Sequence, residues 1–199
     1  MKQIFSNFVF SIFKYNDIDN IRNIVMEIFK EKINKNMAYL TINDFNIDNY
    51  IDSFEGNTLN DVFSFWKTSN YPDFVFFTSN SGDGRYTLCN VIHQKLECEY
   101  IQCTLRDGNK QIAPAYFFHY GNEKMKERDV LAYQDSKWVF YEKGTPLSFE
   151  CIDYYKRHRI NQRLNSDIII RYLDNYGISF EKIDKDVENS FTFHSQFAK

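Results

Sequence analysis

The sequence predicts an α+β fold: an antiparallel sheet of about four to six strands with helices packed on it, among them N- and C-terminal helices. Three observations carry that reading. Helix-spaced apolar residues occur early and late in the chain, branched and aromatic runs of strand length lie between them, and two strand-turn-strand patterns follow one another from residue 99 to residue 141. With 199 residues, 43% hydrophobic and 26% charged, the chain has enough apolar material for one packed domain. Residues 1–180 read as that domain, and residues 181–199, which lose the pattern, as a loosely held tail.

Taken in order, Ile4 to Phe13 mixes Phe, Val and Ile and reads as a strand. From Asn16 the period changes. Asn16 or Asp17 can cap a helix, Asp17 and Asp19 suit its positive end, and Ile18, Ile21, Val25, Ile28 and Phe29 recur at helical spacing to about Asn34. Met37 to Ile42 is a short strand. Two helices are then expected, Asp44 to Phe54 and Thr58 to Lys67, the second placing Leu59, Val62, Phe63 and Trp66 on one face. Tyr71-Pro72 ends it, Asp73 to Thr78 reads as a buried strand, and residues 86–97 show Leu88, Val91, Ile92 and Leu96 at helical spacing. Glu99 to Leu105 and Gln111 to Tyr120 form a hairpin across Asp107-Gly108, a dipeptide suited to the positive backbone angles of a tight turn. A second hairpin pairs Asp129 to Tyr133 with Lys137 to Tyr141. Four strands in succession predict a sheet covered on one face by helices. Ile152 to Arg163 reads as helical, and Asn165-Ser166-Asp167 caps a last helix that Gly177 stops.

Charge is unevenly distributed. The first 84 residues hold seven Lys or Arg against eleven Asp or Glu, and between Met37 and Asp83 seven carboxylates face one cation, Lys67. Such asymmetry bears on the sign of a partner rather than on fold. Asp44, Asp48, Asp52 and Glu55 fall four, four and three apart, which on the expected helix aligns them opposite Phe45, Ile47, Ile51 and Phe54, with Tyr50 at the border. Asp44, Asp48, Tyr50, Asp52, Glu55 and Asp61 are therefore the candidate contacts for a basic partner.

Catalytic and metal-binding patterns are sparse. The four cysteines lack Cys-x-x-Cys spacing, and the four histidines lack His-x-x-x-His or His-Glu-x-x-His spacing, so neither a metal nor a cofactor is expected. Cys89 and His93 share a helical face as a possible thiol–imidazole pair. His119, inside an aromatic strand run, reads as structural. Ser79 to Arg85 joins a strand to a helix as a phosphate loop does, with His93 or Arg85 to assist, but Gly82-x-Gly84 is followed by neither a third glycine nor Gly-Lys-Ser/Thr. A small-molecule or nucleotide-binding enzyme built on that loop is one alternative. The other is an RNA-binding module on residues 154–163, where Lys156-Arg157-His158-Arg159 and Arg163 adjoin Tyr154 and Tyr155. The N-terminal apolar run is broken by Ser6, Asn7 and Ser11, and no stretch approaches the ~20 apolar residues of a membrane span, so a cytoplasmic protein is expected.

One stretch carries a resemblance. Lys137-Trp138-Val139-Phe140-Tyr141, Gly144-Thr145-Pro146-Leu147, Phe149-Glu150, Tyr154-Tyr155-Lys156-Arg157, Arg159-Ile160 and Arg163-Leu164 resemble small cytosolic proteins encoded beside bacterial polymorphic toxins. These are the immunity proteins of contact-dependent inhibition and of Maf-type toxin islands. The resemblance covers residues 137–180. It implies a non-enzymatic monomer or homodimer that binds the C-terminal domain of a cognate toxin, commonly a basic nuclease, and covers its active site. It implies neither a membrane partner nor, for the immunity function, a nucleic-acid partner.

Overall fold

The computed structural model of the chain describes residues 7–51, 60–122, 124 and 126–196. Its centre is one nine-stranded sheet, antiparallel throughout, formed by β1 (Phe8–Phe13), β2 (Ala38–Ile42), β3 (Asn60–Thr68), β4 (Val75–Ser79), β5 (Tyr100–Arg106), β6 (Ala115–Gly121), β7 (Glu127–Gln134), β8 (Trp138–Lys143) and β9 (Val187–Gln196). The strands lie in the order β2-β9-β3-β4-β1-β5-β6-β7-β8. The expected four to six strands are thus too few, strands β1 and β9 rather than helices are the first and last elements of the described residues, and the sheet rather than the helices dominates the fold.

Two of the additional strands come from segments read differently in the sequence. Residues 60–68, taken as helical, form β3, because Phe63 and Phe65 point into one core while Val62, Ser64 and Trp66 point to the other face. A strand buried on both faces loses the polar alternation that marks a strand, and its apolar residues then coincide by chance with helical spacing. Residues 187–196, within the expected tail, form β9, paired with β2 on one side and β3 on the other.

Helices cover both faces, not one. The α1 helix (Ile18–Ile28) begins where Asp17 accepts a 3.0 Å hydrogen bond from the Asn20 amide, and it buries Ile18, Ile21 and Val25. A short α2 (Lys30–Asn34) continues it. With α3 (Tyr86–Leu96), α1 packs on the face that presents Phe13, Phe63, Phe65, Phe77, Tyr100 and Phe193. On the other face α4 (Ser166–Tyr176) lays Ile168, Ile169, Tyr172 and Leu173 against Phe8, Phe10, Ile101 and Phe118. Asn165 caps α4 through the Ile168 amide, and Gly177, at φ +101°, terminates it in a conformation that favours glycine. The helix expected over Ile152 to Arg163 is instead two 3-10 turns, Ile152–Lys156 and Ile160–Gln162.

This segment is fastened to the sheet by a buried ion pair. Arg128, on β7 and 1% exposed, meets the fully buried Glu150 carboxylate through Nε at 3.0 Å and Nη2 at 2.9 Å. Glu150 also accepts from the Tyr155 hydroxyl at 2.6 Å and the Leu147 amide at 2.9 Å.

Candidate functional site

The expected acidic helix is absent over its described part. Residues 44–46 form no helix, Asn46 being extended, and only Ile47–Asn49 turns, as a 3-10 helix. The physical reason lies in the asparagines: Asn46 accepts from the Asp48 amide at 3.0 Å, so a side chain closes the turn that a helical backbone would close. Repulsion between Asp44 and Asp48 four residues apart adds to the effect. The single aligned row of carboxylates therefore does not form here, and Asp52 and Glu55 lie outside the described residues.

The 43–51 segment instead folds over the sheet and closes a pocket. Phe45 stacks on Trp66 with ring centroids 4.1 Å apart and an interplanar angle of 14°, which anchors the segment above β3. Between it and β9 lies a cavity of about 230 Å³ bordered by Asp44, Asn46, Asn49, Tyr50, Asn80 and His194, with Val62 and Thr192 beneath. The β9 strand supplies His194 and Thr192 because residues on one sheet face alternate with the core residues Phe191 and Phe193.

The charged group of this pocket is Asp44. Its side chain is 42% exposed, and one oxygen, Oδ2, accepts from the Thr41 hydroxyl. His194 Nε2 stands 3.2 Å from the Thr41 hydroxyl and 3.9 Å from Asp44 Oδ2, while Tyr39 stacks on the imidazole at 4.7 Å. Deeper in, the Tyr50 hydroxyl is 2.6 Å from Ser64 Oγ, itself 2.7 Å from Thr192 Oγ1. Burial pushes the Tyr50 phenol up to about 12; the hydrogen bonds to Ser64 and Thr192 oppose the rise and the charge of Asp44 adds to it. Tyr50 is therefore a neutral, positioned group at neutral pH. A carboxylate beside amide, hydroxyl and imidazole groups in a concave site suits a cationic head group, an ammonium or a guanidinium.

The sequence-predicted residues thus divide. Asp44 and Tyr50 come together in the pocket, and Asp48 stands exposed on the neighbouring turn. Tyr50 is buried rather than a surface contact. Asp61 is 3% exposed, on the β3 end directed to the opposite face, where it pairs with Arg85. Sequence reasoning missed Thr41, Asn80, Thr192 and His194. The alternation Phe191-Thr192-Phe193-His194 was the available signal for the last two.

The other motifs have local explanations. In the loop from Ser79 to Arg85, the Gly84 amide donates to Ser81 O and the Arg85 amide to Asp83 Oδ1, so a carboxylate already takes the place a phosphate would fill. Cys89 and His93 do not pair with each other. The Cys89 thiol donates to Gly84 O and accepts from Ser11, and burial pushes it up to about 12, away from nucleophilic use. His93 Nδ1 donates to Cys98 O at 2.7 Å. His119, flanked by Tyr86, Tyr100 and Phe117, meets Asp129 at 2.6 Å because the β6–β7 register sets them opposite each other.

Two larger grooves, of about 460 and 610 Å³, adjoin Leu147 on the same face as α4. Of their charged groups, Arg128 is engaged with Glu150 and Glu142, Glu127 with Lys143, and Lys14 with Glu99, which also accepts from the Tyr176 hydroxyl, while Lys126 stands exposed. Among the described residues no group of three or more His, Cys, Asp or Glu is arranged to hold a metal ion, and no helix is long and apolar enough to cross a membrane. No protein-family model, curated protein or solved structure matches the chain.

Proposed function

We propose that the protein is an immunity-type inhibitor, acting in the cytoplasm, that binds a cognate bacterial toxin through the Asp44 pocket and performs no chemistry itself. The observation that carries the reading is the pocket: an exposed carboxylate set beside amide and hydroxyl groups in a cavity of about 230 Å³, bordered by an acidic turn. The resemblance of residues 137–180 to immunity proteins supplies the partner class. The pocket supplies the contact chemistry, because a nuclease presents Lys and Arg to its phosphate substrate. One such side chain seated against Asp44 would be an anchor, and Asp48 on the rim would speed encounter by charge. Covering those basic residues is sufficient to block the toxin.

The test is co-expression of the tagged protein with the product of the adjacent open reading frame, followed by calorimetry of the isolated pair and a growth assay. A nanomolar complex that relieves growth arrest is expected. The double substitution Asp44→Lys, Asp48→Lys should weaken it at least ~100-fold, about 2.7 kcal/mol, and restore arrest while leaving thermal unfolding unchanged. Undiminished affinity in a folded variant would remove the pocket from the interface, and no complex at all would remove the inhibitor reading.

A further inference from the structure

The edge of the sheet at β8 carries a second charged feature, of opposite sign. It lies six strand spacings from β3, about 30 Å at ~4.8 Å each. There Arg157 lies over the Tyr154 ring at 4.1 Å, Arg171 over the same ring at 5.8 Å, and Arg163 over the Phe140 ring at 5.4 Å. Their positions are further fixed by hydrogen bonds: Arg157 Nη1 to Gln162 O at 3.1 Å, Arg163 Nε to Arg157 O at 2.7 Å, and Arg171 Nη1 to the Tyr154 hydroxyl. Arg159 stands exposed between them.

None of Arg157, Arg159, Arg163 and Arg171 makes an ion pair with a carboxylate among the described residues. That is notable in a chain with 27 acids against 24 Lys and Arg, where Lys156, the immediate neighbour, is paired with Asp153. Two guanidinium groups, those of Arg157 and Arg171, thus share one tyrosine ring, and neither has a carboxylate ion-pair partner among the described residues. An arrangement of like charges that is pre-ordered and lacks counter-charges is a site for an anion.

The anion's class follows from which parts of the arginines remain available. Arg157, which is exposed, spends one of its five N–H donors on Gln162 and covers Tyr154 with one face, which leaves an edge of donors and the second face of the guanidinium. A carboxylate or phosphate uses the edge. Only a flat π-system uses the face, and nucleobases stack on guanidinium planes. We propose that this cluster binds single-stranded nucleic acid, with a base stacked on Arg157 and phosphates held by Arg157, Arg159 and Arg163. The site is independent of the Asp44 pocket and does not rest on the inhibitor reading.

The probe is a 5′-fluorescein-labelled 12-nucleotide single-stranded RNA of mixed sequence, titrated with the full chain by anisotropy at 50 to 200 mM salt, with the matching DNA as a second arm. Three phosphate contacts predict a log–log salt slope near −2, hence ~20-fold weaker binding across that range. Arg157→Gln with Arg159→Gln should cost ~10-fold or more at 50 mM and make the slope shallower by ~1.4. Arg157→Lys should keep the slope yet lose affinity, because charge remains and the stacking plane does not. RNA and DNA binding alike supports the proposal, and a preference for RNA locates part of the recognition at the 2′-hydroxyl. The proposal is overturned by no binding at 50 mM salt, by glutamine variants that bind like the parent, or by a polyglutamate peptide of equal charge competing as well as RNA, which would assign the cluster to an acidic protein. Circular dichroism of each variant separates these outcomes from misfolding.

Discussion

Replacing Glu150 with Ala should be among the most damaging single changes in the molecule. The substitution strips Arg128 of its bidentate partner and removes the acceptor of the Tyr155 hydroxyl and the Leu147 amide. Arg128 is 1% exposed, so its charge cannot turn to water. It would keep Glu142, at 2.7 Å, and the carbonyls of Lys143 and Gly144 at 3.3 and 3.2 Å. Breaking a buried pair by removing one member costs about 3–5 kcal/mol, and the residual contacts place the expected loss at the lower end, about 3 kcal/mol. For a chain of this size that lowers Tm by roughly 6–12 °C. Urea unfolding followed by tryptophan fluorescence gives the number, and a double-mutant cycle with Arg128→Met apportions it. The double variant Arg128→Met, Glu150→Ala should be more stable than the sum of the single changes predicts by 1 kcal/mol or more, since no unpaired charge remains. A loss below about 1 kcal/mol for Glu150→Ala would refute the view that this pair fastens residues 144–156 to the sheet.

Three further outcomes follow from the same structure. Asp61→Ala should cost about 3 kcal/mol in urea unfolding, because it leaves Arg85 beside a buried vacancy, whereas Asp44→Ala should change stability by less than about 0.5 kcal/mol. Gly84→Ala should lose about 3 kcal/mol by the same assay: φ is +59°, and the new methyl would stand 2.2 Å from Val9 Cγ1 and 2.4 Å from Gln102 Nε2. Alkaline titration should unfold the protein above about pH 10, the ordinary phenol value. Burial raises the phenols of Tyr50, Tyr100, Tyr116, Tyr155 and Tyr172, so above pH 10 the unfolded chain holds fewer protons than the folded one. Stability therefore falls by up to ~1.4 kcal/mol per pH unit for each, and circular dichroism against pH would show a flat alkaline limb if the phenols were unperturbed.

How far the site was legible depended on the range of the interactions that form it. The acidic character of residues 37–83 and the basic run at 156–159 are matters of composition, and both were evident without coordinates. That Asp44 lines a pocket while Asp61 is interred with Arg85 was not, since carboxylates are alike in sequence and differ only in where the fold carries them, Asp44 in the segment after β2 and Asp61 on β3. His194 was hidden for a similar reason, because it belongs to a strand whose partners β2 and β3 lie more than a hundred residues away.

Local signals by themselves determined the capped helices and the hairpins. Asp17, Asn165 and Gly177 mark α1 and α4 through bonds and angles spanning a few residues. The strands β5 and β6 pair as expected, but residues 107–114 join them, a longer connection than the tight Asp107-Gly108 turn the sequence suggested. Tertiary structure alone decided that residues 60–68 are a strand, that residues 187–196 enter the sheet, and that both sheet faces are covered. A strand buried on two sides carries no polar face for its neighbours in sequence to reveal, so only the pairing of distant segments, and the burial of apolar surface that the pairing allows, makes it a strand.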